Sequence, residues 1–466
     1  MRIFETTTDL LPHQIDAMNK LLPSRINALL MEMGTGKSRT VIELAKYRSR
    51  KIDKVVWFCP VSLKQTVLGE ILKHTYCTRE DICVFNDEIT EKTIPDAMWY
   101  VIGIESMSSS ARVILTAHKL ITEKTFVILD ESTYCKYHRA KRTMRITTFS
   151  REARYRAIMT GTPLSKGVQD LYSQFYFLSP KILGYSSFYS FAANHLEYSD
   201  KFPGMIVRAH NVEYLAAKIK PYTYQVTKEE SLNLPTKLMR TVYFEMSEEQ
   251  QEAYGQAKYD ALDAVEYDRF DRYYIFKLFM WLQQIVSGFW NRNGKLLEYK
   301  HDRLSTLMDS IDKLRDDKII VWAKFQYDIE HIADALRTAY GYDSVALYYG
   351  KTQESKRKLE EEKFHKNARF FVGTQSTGGH GLTLNEANRV FFYNNGFKYS
   401  EREQAEDRCH RIGQEKDVIY TDIHCVNSID DRIYKSLSKK SSVLYDFQKE
   451  VDKVKKDRIK ELIKSL

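Results

Sequence analysis

Two short segments hold the residues that phosphate chemistry needs. Residues 29–45, LLMEMGTGKSRTVIELA, pass from an apolar run through a glycine-rich turn into a helical pattern. Glycine allows the backbone N–H groups of Gly34, Thr35, Gly36 and Lys37 to approach phosphate oxygens closely, and the start of the following helix favours negative charge. Lys37 would reach the β- and γ-phosphates, and the Ser38 hydroxyl would ligate Mg2+. Met31 stands where the full G-x-x-x-x-G-K-[ST] pattern has its first glycine, so the second segment carries much of the weight. Residues 126–133, FVILDEST, form a buried-strand pattern ending in two carboxylates. Two such groups buried without partners would cost several kcal/mol. Beside a phosphate loop, Asp130 can hold Mg2+ and Glu131 can polarise the attacking water. Taken together, in this order, the segments read as a site for ATP and Mg2+.

A third stretch, QAEDRCHRIGQ at residues 404–414, holds two arginines, a histidine and two glutamines. If it is helical, Gln404, Arg408 and Arg411 fall at i, i+4 and i+7 and share one face. Phosphoryl transfer spreads charge over the γ-phosphoryl oxygens, and an arginine from outside the phosphate loop is worth about 10³–10⁵ in rate in other nucleotidases. Arg408 and Arg411 are the candidates. They lie far along the chain from the loop, so their contribution would require two domains to close on ATP.

The elements that must position these groups are legible as alternating patterns. The runs ALLM, KVVWFCP, ICVFN, WYVIGI, FVILD and YRAIMTGT are short, continuous and apolar, as strands buried on both faces of a parallel sheet are. The pattern restarts with KIIVWA, VALYY, RFFVGT, RVFFYNN and IYTDIHCV, so a second α/β domain follows. The expected division is residues 1–178, an aromatic-rich helical insertion at 179–295, a second domain at 296–434 and a lysine-rich helical tail at 435–466. One strand-like stretch within the insertion, at 236–246, is expected to return to the first sheet.

The 466 residues allow about three domains. The formal net charge of +9 suits a polyanionic partner. Six scattered cysteines include no C-x-x-C pair, which indicates neither a zinc site nor a disulfide framework. The N-terminus has no signal-peptide pattern and no apolar run is long enough to span a bilayer. A monomer in the cytoplasm, or in the nucleus of a eukaryote, without a membrane partner is the expectation.

With these residues in hand, the chain resembles the SWI/SNF-type ATPases of helicase superfamily two. LLPHQIDAM is similar to the adenine-recognising Q motif, with Gln14 as its glutamine; MEMGTGKS is similar to motif I, CPVSLKQTV to Ia, VIGIES to Ib, DEST to II and MTGTPLSKGVQDLYSQFYFLSP to III. IIVWAKF resembles motif IV, GTQSTGGHGLTLNEANRVFFYN motif V and QAEDRCHRIGQ motif VI. Ser38 and Thr133 stand where the family commonly has threonine and histidine.

The resemblance implies two RecA-like parallel-sheet lobes with helical insertions, in a minimal form of the kind found in bacteria and phages. It implies ATP-driven movement along double-stranded DNA. Gln404 and Gly381 would belong to the nucleotide site. Ser62 and Lys64 in motif Ia, with Thr374 and Thr377 near motif V, would touch the DNA backbone. Two other functions fit the same scaffold: a strand-separating helicase, and an ATP-switched scaffold recruiting a partner such as a nuclease.

Overall fold

The computed structural model describes residues 3–161, 167–232, 234–314, 317–378, 382–454 and 456–466. It divides into two compact units: Met1–Tyr198 with Ile206–Asn233, and Ser199–Met205 with Leu234–Leu466.

The first unit is built on β1 (Ile26–Met31), β2 (Lys54–Cys59), β3 (Ile82–Val84), β4 (Trp99–Gly103), β5 (Thr125–Asp130) and β6 (Tyr155–Met159). A small antiparallel hairpin, β7 (Leu196–Tyr198) and β8 (Ile206–Ala209), precedes the last strand of the sheet, β9 (Thr223–Val226). The seven-stranded order is β3-β4-β2-β5-β6-β1-β9, and every pairing is parallel. All six positions of β5 are buried, as the unbroken apolar run requires when helices cover both faces. Alternate residues of β1 face opposite cores: Ala28 and Leu30 join one, Leu29 and Met31 the other.

The second unit begins with β10 (Lys237–Phe244) and a hairpin of β11 (Phe289–Arg292) and β12 (Lys295–Glu298). Asn293 and Gly294 turn that hairpin with φ of 52° and 83°, the left-handed pair that a two-residue turn needs. Then come β13 (Ile319–Ala323), β14 (Val345–Tyr348), β15 (Phe370–Thr374), β16 (Arg389–Phe392) and β17 (Val418–Cys425). The six-stranded parallel order is β10-β17-β16-β13-β15-β14. The aromatic-rich stretch forms helices Glu248–Glu266 and Arg272–Val286, whose Leu278, Phe279, Leu282 and Ile285 are buried in the same core as Ile319 and Val321.

The strand expected to return to the first sheet does not do so. β10 pairs with β17 over eight residues, from Lys237 opposite Val418 to Phe244 opposite Cys425. The edge place beside β1 is filled by β9, with Ala28 opposite Thr223 and Met31 opposite Val226. Phe244 is buried in the second unit's core and Val242 packs against it, which fixes β10 there.

A buried polar cluster ties the helices of the second unit to its sheet. The Asn394 amide donates to Ser287 Oγ at 2.9 Å and to Asp328 Oδ2 at 2.5 Å, and Lys324 N donates to Asn394 Oδ1 at 2.6 Å. Burial pushes the Asp328 carboxyl up to about 7, with the Asn394 hydrogen bond and the Arg303 charge opposing. A carboxyl raised on folding adds stability in full below its unfolded value of about 3.9, and that contribution is lost as pH rises through about 7. Asp328→Asn is therefore expected to raise the thermal midpoint at pH 8, by about 2–4 °C for each kcal/mol relieved. The gain should shrink at pH 5. Melting curves at the two pH values check this, and equal shifts at both would show that ionisation is not the cause.

Candidate nucleotide site

The first unit gathers the phosphate-loop residues and both carboxylates at one edge of its sheet. Met159 pairs with Asp130 on one side and with Leu29 on the other, so the carboxyl ends of β5, β6 and β1 lie level. Beyond β1 the chain turns through Gly34 and Gly36, with φ of 81° and 83°, into helix Lys37–Arg48. These left-handed glycines are what allow successive backbone N–H groups to face one point. Ser38 lies in the first turn of that helix. Gly161, just past β6, sits against the same loop: a Cβ there would lie 3.2 Å from Met33 N and 3.5 Å from the Met31 carbonyl.

Helix Pro12–Leu21 braces the loop. The Gln14 amide donates to the carbonyls of Thr35 at 3.4 Å and Gly36 at 3.2 Å, while its oxygen accepts from Leu11 N at 2.8 Å. Both ends of the Gln14 amide thus engage protein backbone, and a methyl group at Gly36 would collide with it. His13, a residue that sequence reasoning passed over, bonds the Thr35 carbonyl through Nε2 at 2.7 Å. Its place beside Gln14 was the available signal. The Lys37 ammonium donates to the carbonyls of Met31 at 2.9 Å and Glu32 at 3.2 Å.

The carboxylates at the end of β5 are both buried. Burial, then the neighbouring Glu131 charge, push the Asp130 carboxyl up to about 7, with Lys37 and two hydrogen bonds opposing. Those bonds come from Glu131 N at 2.9 Å and from the Trp57 indole N–H at 3.3 Å. Trp57 is fully buried in the neighbouring β2, and nothing in its apolar context marks it as a partner of the site. Glu131 has a φ of 45°. A non-glycine residue held there costs on the order of 1–3 kcal/mol and persists only where its surroundings over-determine it. A pair of buried carboxyl groups beside a glycine turn is chemistry that suits a divalent cation carried in with a phosphate chain, and Ser38 and Asp130 are the residues that could hold it.

In the second unit, helix Tyr399–Glu406 carries Gln404 and ends before the arginines, so Arg408 and Arg411 do not share a helical face with it. Arg402 anchors this helix by donating from Nη1 and Nη2 to the Asp422 carboxylate, at 2.5 and 3.1 Å, and from Nε to Glu406 at 2.8 Å. Lys237 of β10 pairs with Glu406 at 3.3 Å and with Asp407 at 3.6 Å, just where helical geometry stops.

The two arginines nevertheless converge. Arg408 Nη1 and Arg411 Nη1 both donate to the Leu382 carbonyl, at 3.2 and 3.3 Å, and Arg411 also reaches Thr383 Oγ1 at 2.9 Å. Arg408 is 3% exposed, whereas Arg411 is half-buried. Gln414, the last residue of the motif, is structural: its amide donates to the carbonyls of Asn385 and Ala387 at 3.0 and 2.9 Å.

The expected backbone-contacting residues divide. Ser62 is exposed, and Lys64 is half-buried with Nζ donating to the Phe85 carbonyl at 2.8 Å. Thr374 is buried at the carboxyl end of β15. The Thr377 side chain and the whole of Gly381 lie outside the described residues. Among the described residues no helix is long and apolar enough to cross a membrane.

Fold and site together define a phosphate-loop protein with a second parallel-sheet unit that carries an arginine pair. Residues 13–288 match the SNF2-related domain and residues 300–413 the helicase conserved C-terminal domain, and the chain belongs to the SNF2-related family. It is 25% identical over 425 residues to a Mycoplasma genitalium protein described as an uncharacterized ATP-dependent helicase, covering 89% of this chain and 39% of that one. It is 23% identical over 455 residues to the human SWI/SNF-related matrix-associated actin-dependent regulator of chromatin subfamily A member 1, covering 90% and 42%. The chain thus spans about two fifths of the length of these relatives. Among solved structures, the Sulfolobus solfataricus SWI2/SNF2 ATPase core in complex with dsDNA aligns over 99% of this chain and 98% of its own, with 22% identity and a TM-score of 0.44.

Proposed function

We propose that this chain is an ATP-dependent translocase on double-stranded DNA, hydrolysing ATP to ADP and phosphate and using the cycle to move along the duplex and remodel DNA or protein–DNA complexes. The observation that carries the reading is the level placement of the glycine turn and the Asp130–Glu131 pair at the ends of β1 and β5, in a chain of the SNF2-related family.

The backbone N–H groups of Gly34 to Lys37 bind the phosphates, and Lys37 exchanges its present carbonyl partners for phosphate oxygens. Asp130 and Ser38 would hold Mg2+, which supplies positive charge to the phosphate oxygens. Glu131 takes the proton of the attacking water. Arg411, the more accessible arginine, contributes charge to the transferring group, while Arg408 holds the Leu382 carbonyl beside it.

A steady-state assay with no nucleic acid, single-stranded DNA, duplex DNA and RNA tests the reading. Duplex DNA should stimulate most. Triplex displacement should then report ATP-dependent movement, with little opening of a forked duplex. Strong fork opening would favour a strand-separating helicase, and a rate indifferent to every nucleic acid would favour an ATP-switched scaffold.

Contacts to phosphate position a protein without reading sequence. Stimulation should therefore be sequence-tolerant, and the log–log salt slope should be about −0.9 per neutralised phosphate. Lys64→Ala is expected to reduce duplex stimulation and the magnitude of that slope together. A fall confined to the rate without DNA would instead assign Lys64 to the nucleotide site.

A further inference from the structure

The turn that follows Glu131 is joined to helix Gln169–Leu178 by a polar pair that the hydrolytic site does not itself require. Ser132 Oγ donates to Gln174 Oε1 at 2.5 Å, and both residues are fully buried, with 0% exposure. The other end of the Gln174 amide donates to the Asp170 carbonyl at 2.8 Å. A second bond runs in parallel: Lys136 Nζ lies 3.5 Å from Asp170 Oδ2. Residues 132 and 136 are four apart, as are 170 and 174, so the short helix Ser132–Cys135 is clasped at both ends to one face of helix Gln169–Leu178.

Chemistry argues against a purely packing role for this clasp. A hydroxyl and an amide brought to zero exposure return about 0.5–1.5 kcal/mol for their bond, and an apolar pair of the same shape can be nearly as stable or more so. The surroundings are apolar: Leu171, Tyr172 and Phe175 of the same helix and Cys135 of the turn lie in one hydrophobic core. What the polar pair adds is direction, because it admits one arrangement of turn and helix. That arrangement sits immediately after Glu131, whose φ of 45° needs rigid neighbours to persist. Helix Gln169–Leu178 in turn follows the strand end and glycine that pack on the phosphate loop.

We propose that Ser132 and Gln174 are positioning residues: they lock the turn bearing Glu131 to helix Gln169–Leu178, so that the water-activating carboxylate and that helix respond to nucleotide as one body. The proposal rests on the hydrolytic reading of the site. Ser132→Ala removes the donor, Gln174→Leu removes the acceptor, and the double variant replaces the polar pair with an apolar one.

All three should turn over ATP about tenfold more slowly with KM for ATP within about twofold of the parent, as misplacement of a reacting group requires. The single variants should lose thermal stability and the double variant regain it. In hydrogen exchange, a non-hydrolysable ATP analogue should slow the amides of Gln169–Leu178 in the parent and leave them unchanged in the double variant. Recovery of kcat together with thermal midpoint in the double variant would reduce the pair to packing and overturn the proposal. An equal exchange response in parent and double variant would overturn it too. A parent that binds the analogue yet hydrolyses no ATP would overturn the hydrolytic reading and the proposal together, whereas a hydrolysing parent matched by its variants overturns the proposal alone.

Discussion

Glu131→Gln is expected to bind Mg-ATP with near-parental affinity and to hydrolyse it about 10²–10⁴-fold more slowly, the range that a positioned general base contributes. Lys37, Ser38, Asp130 and the backbone of the glycine turn remain, so the groups assigned to phosphate and cation are untouched. What is lost is the acceptor for the proton of water. The amide is nearly isosteric and keeps the residue in its left-handed turn, and the variant also removes the like charge that helps push Asp130 up to about 7. Its thermal midpoint should therefore be no lower than the parent's. Phosphate release and equilibrium binding of a fluorescent nucleotide measure the two effects separately. Parental turnover in the variant would remove Glu131 from its assigned role, and loss of binding would place it among the phosphate or cation ligands.

The second large effect belongs to the arginines. Arg411→Ala should lower kcat by about 10³-fold or more while nucleotide affinity changes little, because charge delivered to the transferring phosphoryl group acts mainly in the transition state. The structure separates this residue from Arg408. Arg408 is 3% exposed and bonds the carbonyls of Gln404 and Leu382, so Arg408→Ala should lower the thermal midpoint as well as the rate. Arg411→Ala should leave the melting curve close to the parent's. Single-turnover hydrolysis and differential scanning calorimetry on both variants decide the matter. If Arg411→Ala keeps its turnover and Arg408→Ala loses it without loss of stability, the assignments are reversed.

Strands buried on both faces were the most legible elements. ALLM, VVWFC and FVILD are unbroken runs because every position in them is buried, and the structure gives each a neighbouring strand on both sides in the first sheet. β10 misled for the opposite reason. Most of its positions are exposed or half-buried, so its sequence says strand without saying whose, and its partner lies far along the chain. The end of helix Tyr399–Glu406 was equally hidden. Neither glycine nor proline marks residue 407, and the ion pairs from Lys237 that meet the helix there come from a distant strand. At Gln14 sequence singles out a residue without showing which way its amide points; its hydrogen bonds go to the loop backbone. Trp57 and the Ser132–Gln174 pair lie beyond periodicity and motif altogether, because an indole in an apolar run and a glutamine in an aromatic helix acquire meaning only from what stands opposite them.

The pairing of β10 with β17 also has a temporal side. All strands of the first sheet lie between Ile26 and Val226, so that sheet has every strand it needs before β10 is made. β10 emerges next and then waits, because the bond between Thr236 N and Asp417 at its entrance spans 181 residues. Closing so long a loop is entropically slow, and strand edges left open meanwhile invite wrong partners. Leu238, Met239 and Tyr243 stay exposed on β10 even in the finished fold. During synthesis the second unit thus holds out an apolar, unzipped edge until its final strand arrives, and chaperone demand and misassembly should concentrate in that interval.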